Sequence, residues 1–141
     1  MAASHLVFVF GTLKEDFPNH ATNRGVRVPG IFRTCTPYPL YLVGERHSPW
    51  MVDLPGQGHP VNGQLFRVDD ETLAAMDRLE RVSEPDGYRR VLLDFEGGEP
   101  PGRRQAHVYL KPAGQLTPSD IRVGPLAEYS LEHAALYRPR S

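Results

Sequence analysis

Proline and glycine recur along this chain, 14 and 13 times in 141 residues, so little of it can be helix. Turns must be frequent, and the fold has to be assembled from short extended segments. Long helical periodicity survives in one place, residues 69–80. Asp69, Asp70 and Glu71 mark its start, acids that suit an N-cap and the positive end of the helix dipole. Leu73 and Met76 set its apolar stripe, and at ~100° per residue Glu80 falls between their directions. A carboxylate thus stands where a soluble helix should carry a hydrophobe, in the turn where the dipole opposes ionisation. If the helix reaches that far, Glu80 points inward with a raised pKa, suited to moving protons near neutral pH. If the helix has already ended, Glu80 simply emerges into solvent. The pattern alone leaves both readings open.

The strands are read from short apolar runs. Leu6-Val7-Phe8-Val9-Phe10, stopped by Gly11, has the pattern of a central strand buried on both faces. Residues 26–34 predict a second strand interrupted at Pro29-Gly30. Residues 38–43 predict a third, entered through Pro37 and Pro39 and so starting at an edge. Residues 49–54 and 61–68 read as two strands joined by a turn-rich connection. After the helix, residues 88–95 and 105–110 read as strands, separated by an exposed loop over 96–104. From Lys111 the tail reads as irregular, with a short helical turn within 131–136. The expected architecture is α+β in a single domain, residues 1–141. Six or seven short strands curl into a small, partly closed mixed β-barrel, with one main helix packed against it.

Several functions are disfavoured. A net charge of −1 and a pI near 6.6 give no hint of nucleic acid or an anionic membrane surface. No apolar run approaches the ~20 residues of a membrane span. The opening Met1-Ala2-Ala3-Ser4-His5 lacks the basic region and apolar core of a signal peptide. The single Cys35 excludes an internal disulfide and fits a reducing compartment, so the expected location is cytoplasmic. The six histidines occur singly, without metal-site spacing, and no metal is expected. Phosphate-binding glycine loops and the serine-hydrolase elbow are missing. Cys35 is either a thiol nucleophile or, more simply, a small hydrophobe.

The junction Val9-Phe10-Gly11-Thr12-Leu13 carries more. A glycine directly after a buried strand lets successive backbone N–H groups face a cavity and form an anion-binding concavity. An ordinary turn after a core strand fits the same residues.

Val7-Phe8-Val9-Phe10-Gly11-Thr12-Leu13-Lys14, with Pro18-Asn19-His20 behind it, resembles the opening of the gamma-glutamylcyclotransferase-like family. The similarity continues through Pro37-Tyr38-Pro39-Leu40, Pro49-Trp50, Leu54-Pro55-Gly56 and Val61-Asn62-Gly63-Gln64-Leu65-Phe66. It extends to Met76-Asp77-Arg78-Leu79-Glu80 and Tyr88-Arg89-Arg90, covers roughly residues 6–95 in order, and returns in the tail at Tyr137-Arg138-Pro139-Arg140.

The resemblance implies an enzyme that needs no cofactor and cyclises a small-molecule gamma-glutamyl substrate to 5-oxoproline. The stretch from Pro37 to Gly56 favours members that release an amine, for instance from epsilon-(gamma-glutamyl)-lysine. Gamma-glutamyl amino acids, glutathione or a gamma-glutamylated intermediate are the alternative donors. By the same resemblance Phe10, Gly11, Thr12 and Leu13 bind the glutamyl group and Glu80 is the acid/base. Tyr88 is a candidate to hydrogen-bond substrate or Glu80, or else a core residue with a wet hydroxyl. Asp77 reads as tuning Glu80 or, more simply, as salt-bridged, and Trp50 as a hydrophobic anchor. The family's loop usually begins with tyrosine, and Phe10 lacks that hydroxyl, a loss of ~0.5–1.5 kcal/mol of hydrogen bonding. That departure keeps a noncatalytic small-ligand binder on the same fold as the rival reading.

Overall fold

The first apolar run becomes β1 (Ser4–Val9), and both of its faces are covered. Phe8 turns into one buried cluster with Phe32, Leu65, Phe95 and Val108. Val7 and Val9 turn into another with Phe66, Val68, Leu73 and Met76. The split follows from the two-residue period of a strand. The computed structural model describes residues 4–139. Met1, Ala2 and Ala3, on which the leader reading partly rests, and Arg140 of the tail resemblance lie outside the described residues.

After β1 come β2 (Val26–Arg27), β3 (Phe32–Thr34), β4 (Leu40–Val43), β5 (Ser48–Met51) and β6 (Asn62–Asp69). The helix α1 (Asp70–Leu79) separates these from β7 (Arg89–Gly97), β8 (Gly102–Leu110) and β9 (Ile121–Leu126), and a short α2 (Leu131–Ala134) follows. No helix among the described residues is long and apolar enough to cross a membrane.

Five strands close on themselves in the order β1-β8-β7-β3-β6 and back to β1. β1 runs antiparallel to β6, from Ser4 opposite Asp69 to Val9 opposite Gln64, and parallel to β8 at Val7 opposite His107. The barrel therefore closes fully where partial closure was expected, and the stacked rings of Phe8 and Phe95, 4.2 Å between centroids, fill it. The interrupted second strand resolves into β2 and β3, split by Pro29-Gly30, and each takes its own stretch of β6. The loop expected over 96–104 shrinks, because β7 and β8 pair as far as Gly97 opposite Gly102.

Beside the barrel, β5, β4 and β9 form a second, antiparallel sheet. β9 corrects the expectation of an irregular tail. Its sequence hides it, since Gly124-Pro125 interrupts the pattern, but a proline that lacks a ladder donor is tolerated on an edge strand, which is where β9 lies. The helical turn expected within 131–136 appears as α2, with Ser130 and His133 forming a reciprocal cap.

α1 begins as its sequence predicts. The Asp69 carboxylate accepts from the Thr72 backbone N–H at 2.8 Å, and Leu73 and Met76 are buried against β1 and β6. The helix ends at Leu79, leaving Glu80 as its C-cap.

Candidate active site

Strand and helix lengths decide what meets what. β6 runs back along β1 from Gln64, opposite Val9, to Asp69, opposite Ser4. α1 starts there and returns along the same strand pair, on the face of Val7 and Val9. Six residue steps of β1 span roughly 20 Å and ten of helix roughly 15 Å. The helix C-terminus is thereby delivered close to the exit of β1, where Phe10 and Gly11 begin the next turn.

Glu80 is held at that end by its own backbone. Its N–H donates to the Met76 carbonyl at 2.9 Å, and its carbonyl accepts from the Tyr88 N–H at 3.0 Å. Arg81 then takes a left-handed conformation, φ 55°, and its guanidinium donates twice to Asp86 Oδ1, at 3.0 and 3.2 Å. A side chain at Gly87 would sit 1.7 Å from the Arg81 carbonyl oxygen, so only glycine closes this turn. Glu80 is half-buried and lines a cavity of about 380 Å³. The helix has ended before Glu80, yet the residue lines the cavity, so neither reading of it holds as stated.

The turn after β1 lines the same cavity. Each of its carbonyls meets a protein donor: Gly11 the Lys14 N–H at 3.1 Å, Thr12 the Asn19 N–H at 2.8 Å, and Leu13 the Asn23 side-chain amide at 3.1 Å. The Asn19 side chain also donates to the Thr12 hydroxyl at 2.8 Å. Gly11 leaves room for Pro49, whose Cγ would lie 2.9 Å from an added Cβ. Below the turn, buried Lys14 donates to the Tyr129 carbonyl and lies 4.2 Å from the Phe17 ring centre. Burial pushes its pKa down to about 8, partly offset by the charge of Glu128.

Two tyrosines line the cavity near Glu80. Tyr88 donates to the Pro49 carbonyl at 2.7 Å, and burial first, then the Glu80 charge, pushes its pKa well up. Tyr109 donates to Asp77 Oδ1 at 2.7 Å, and burial, that bond and the charges of Asp77 and Glu80 push it up as well. Asp77 also accepts from Arg90 Nε at 2.9 Å, so the salt-bridged reading of Asp77 holds.

The residues assigned to binding and catalysis from sequence, Phe10, Gly11, Thr12, Leu13, Glu80 and Tyr88, therefore line one cavity. Tyr109, Arg46 and Tyr137 line it too and were not anticipated as site residues. Alternation in β8 puts Tyr109 on the helix side, opposite Val108 and Leu110, a signal that could have found it. Arg46, in the β4–β5 turn, leaves no such trace. Tyr137 was visible only through the tail resemblance. Trp50 lies outside this cavity, packed against the Val7 cluster with Lys111 Nζ 4.3 Å from its ring centre.

Residues 7–130 match the family described as gamma-glutamyl cyclotransferase, AIG2-like. The chain is 33% identical to the gamma-glutamylaminecyclotransferase of Homo sapiens, an alignment covering 96% of this chain and 97% of that one. It is 35% identical to the gamma-glutamylaminecyclotransferase of Bos taurus, an alignment covering 95% of this chain and 82% of that one. Its fold superimposes on the crystal structure of an AIG2-like protein from Mus musculus with a TM-score of 0.81 at 30% identity, covering 97% of both chains.

Proposed function

The chain belongs to the AIG2-like gamma-glutamyl cyclotransferase family, and on that premise we propose that it converts a gamma-glutamyl amine to 5-oxoproline and the free amine, with Glu80 as acid/base. The observation that carries the residue assignment is the single cavity joining the Glu80 carboxylate to the turn at Gly11, Thr12 and Leu13.

The substrate brings both reacting groups. Its alpha-ammonium gives a proton to Glu80, and the freed nitrogen attacks the gamma-carbonyl carbon to close a five-membered ring. The bond to the leaving nitrogen then breaks as Glu80 returns the proton to it. The new ring nitrogen sheds its second proton, which the released amine takes up to become an ammonium. Nothing is oxidised, no water is consumed and no protein atom is acylated. The reaction asks the protein mainly for orientation, holding the folded conformer in which nitrogen and carbonyl are in contact. Proton transfer by a positioned carboxylate adds ~10²–10⁴-fold. Backbone N–H groups of the turn at residues 11–13 are suited to the oxygen that becomes negative.

The amine half also has somewhere to go. A second groove shares Arg46, Ser48 and Tyr88 with the cavity and continues past Trp50 to Asp86 and Asp120. That extension supports a long amine over a small leaving group.

The test is mass spectrometry for 5-oxoproline after incubation with gamma-glutamyl-lysine, gamma-glutamyl amino acids and glutathione side by side. The lysine conjugate is expected to turn over fastest, and Glu80→Gln to lose ~10²–10⁴-fold in kcat while binding is largely kept. Tight calorimetric binding without lactam would favour the noncatalytic binder. Undiminished turnover by Glu80→Gln would remove that residue from the mechanism.

A further inference from the structure

Three tyrosines line the cavity, and their hydrogen bonds sort them into two kinds. A tyrosine hydroxyl has one proton to give and can accept twice. Tyr88 spends its proton on the Pro49 carbonyl and Tyr109 spends its own on Asp77. Toward a ligand both can offer only oxygen, as acceptors. Tyr137 is the reverse case. Its oxygen accepts from Asn19 Nδ2 at 3.3 Å and from Arg46 Nη2 at 3.0 Å. Amide and guanidinium nitrogens can only donate, so the Tyr137 proton is left to be given.

Arg46 and the tail hold each other. Arg46 Nε donates to the Arg138 carbonyl at 2.9 Å, and the Arg138 N–H returns a bond to the Arg46 carbonyl at 2.9 Å. The guanidinium carbon lies 5.5 Å from the Tyr137 ring centre. The cavity lining thus includes accepting groups, Glu80 and Tyr109, and donating groups, Tyr137 and Arg46.

A gamma-glutamyl head group carries an ammonium and a carboxylate on one carbon, the first calling for acceptors and the second for donors. We infer that Tyr137, together with Arg46, receives the substrate's alpha-carboxylate, which turns the alpha-amine toward Glu80. On this assignment the segment at residues 137–139 is part of the binding site, and the amides of residues 11–13 are left for the gamma-carbonyl oxygen.

The inference rests on the proposed cyclisation for its substrate, and the test separates the two. Tyr137→Phe keeps the ring beside Arg46 and removes only the hydroxyl. It is compared with wild type using a gamma-glutamyl amine as substrate and, as competitor, the same compound with its alpha-carboxylate converted to a carboxamide. The variant should lose about ten- to a hundredfold in kcat/KM for the acid, the range for a hydrogen bond to a charged group. The inhibition constant of the carboxamide, whose carbonyl can accept only a neutral hydrogen bond, should move less, by about two- to tenfold. Equal weakening toward both compounds, or an unchanged kcat/KM for the acid, overturns the assignment. If wild type forms no 5-oxoproline from any donor, the cyclisation reading fails. Calorimetric binding of the acid and the carboxamide then carries the same comparison for Tyr137.

Discussion

Lys14 brings a charge into a place that opposes it. It is nearly inaccessible to solvent, and its ammonium faces the Tyr129 carbonyl and the Phe17 ring while the Glu128 charge is too weak to offset burial. Its pKa falls from 10.5 in an exposed lysine to about 8. Between those values the unfolded chain binds more protons than the folded one, so stability rises with pH there. Below about pH 8 the burial penalty is fully present. Chemical denaturation from pH 7 to 10.5 should show the gap between wild type and Lys14→Met shifting in favour of wild type as pH climbs. A gap that stays level would mean Lys14 is not strained in this way. At this scale Glu80 was legible because a carboxylate breaks an apolar stripe, and Gly11 because it ends a strand. Arg46 was not, and Tyr137 only through the tail resemblance, because a single polar residue in a turn or tail shows its partners only after the chain has folded.

The element that matters is the turn from α1 into β7. It binds the Glu80 carbonyl through the Tyr88 N–H and passes Arg81 through a left-handed conformation. Gly87→Ala would drive a methyl into the Arg81 carbonyl, and the backbone must move to relieve it. The expected result is a loss of ~1–3 kcal/mol in urea unfolding together with a fall in kcat, since the displaced backbone carries Glu80. A variant with full activity would show that Glu80 does not depend on this closure. The helix start was readable through Asp69. Its end was not, because Glu80 fits the apolar stripe whether or not the helix reaches it, and the last helical residue is Leu79. β9 escaped because its pairing with β4 supplies the order that its own Gly124-Pro125 pattern conceals.

Closure of the barrel belongs to the whole molecule. β1 lies between β6 and β8 with Val7, Phe8 and Val9 buried, whereas β9 pairs on one side only and is half exposed. Backbone amides of β1 should therefore exchange with deuterium only through the largest openings, and those of β9 through small local ones. Comparable rates in the two strands would contradict the assigned topology. Individual barrel strands could be read from alternation and turns, but not their closure. That depends on register between residues as distant as Ser4 and Asp69, which no local pattern encodes. The return of α1 along β1 works as a measuring rod. Inserting one residue into it would swing the terminal side chain by ~100° and advance it ~1.5 Å, removing the acid from the cavity without altering any residue's identity. Relatives with the same chemistry can change most letters between Asp69 and Glu80, but they should keep the number of residues between them.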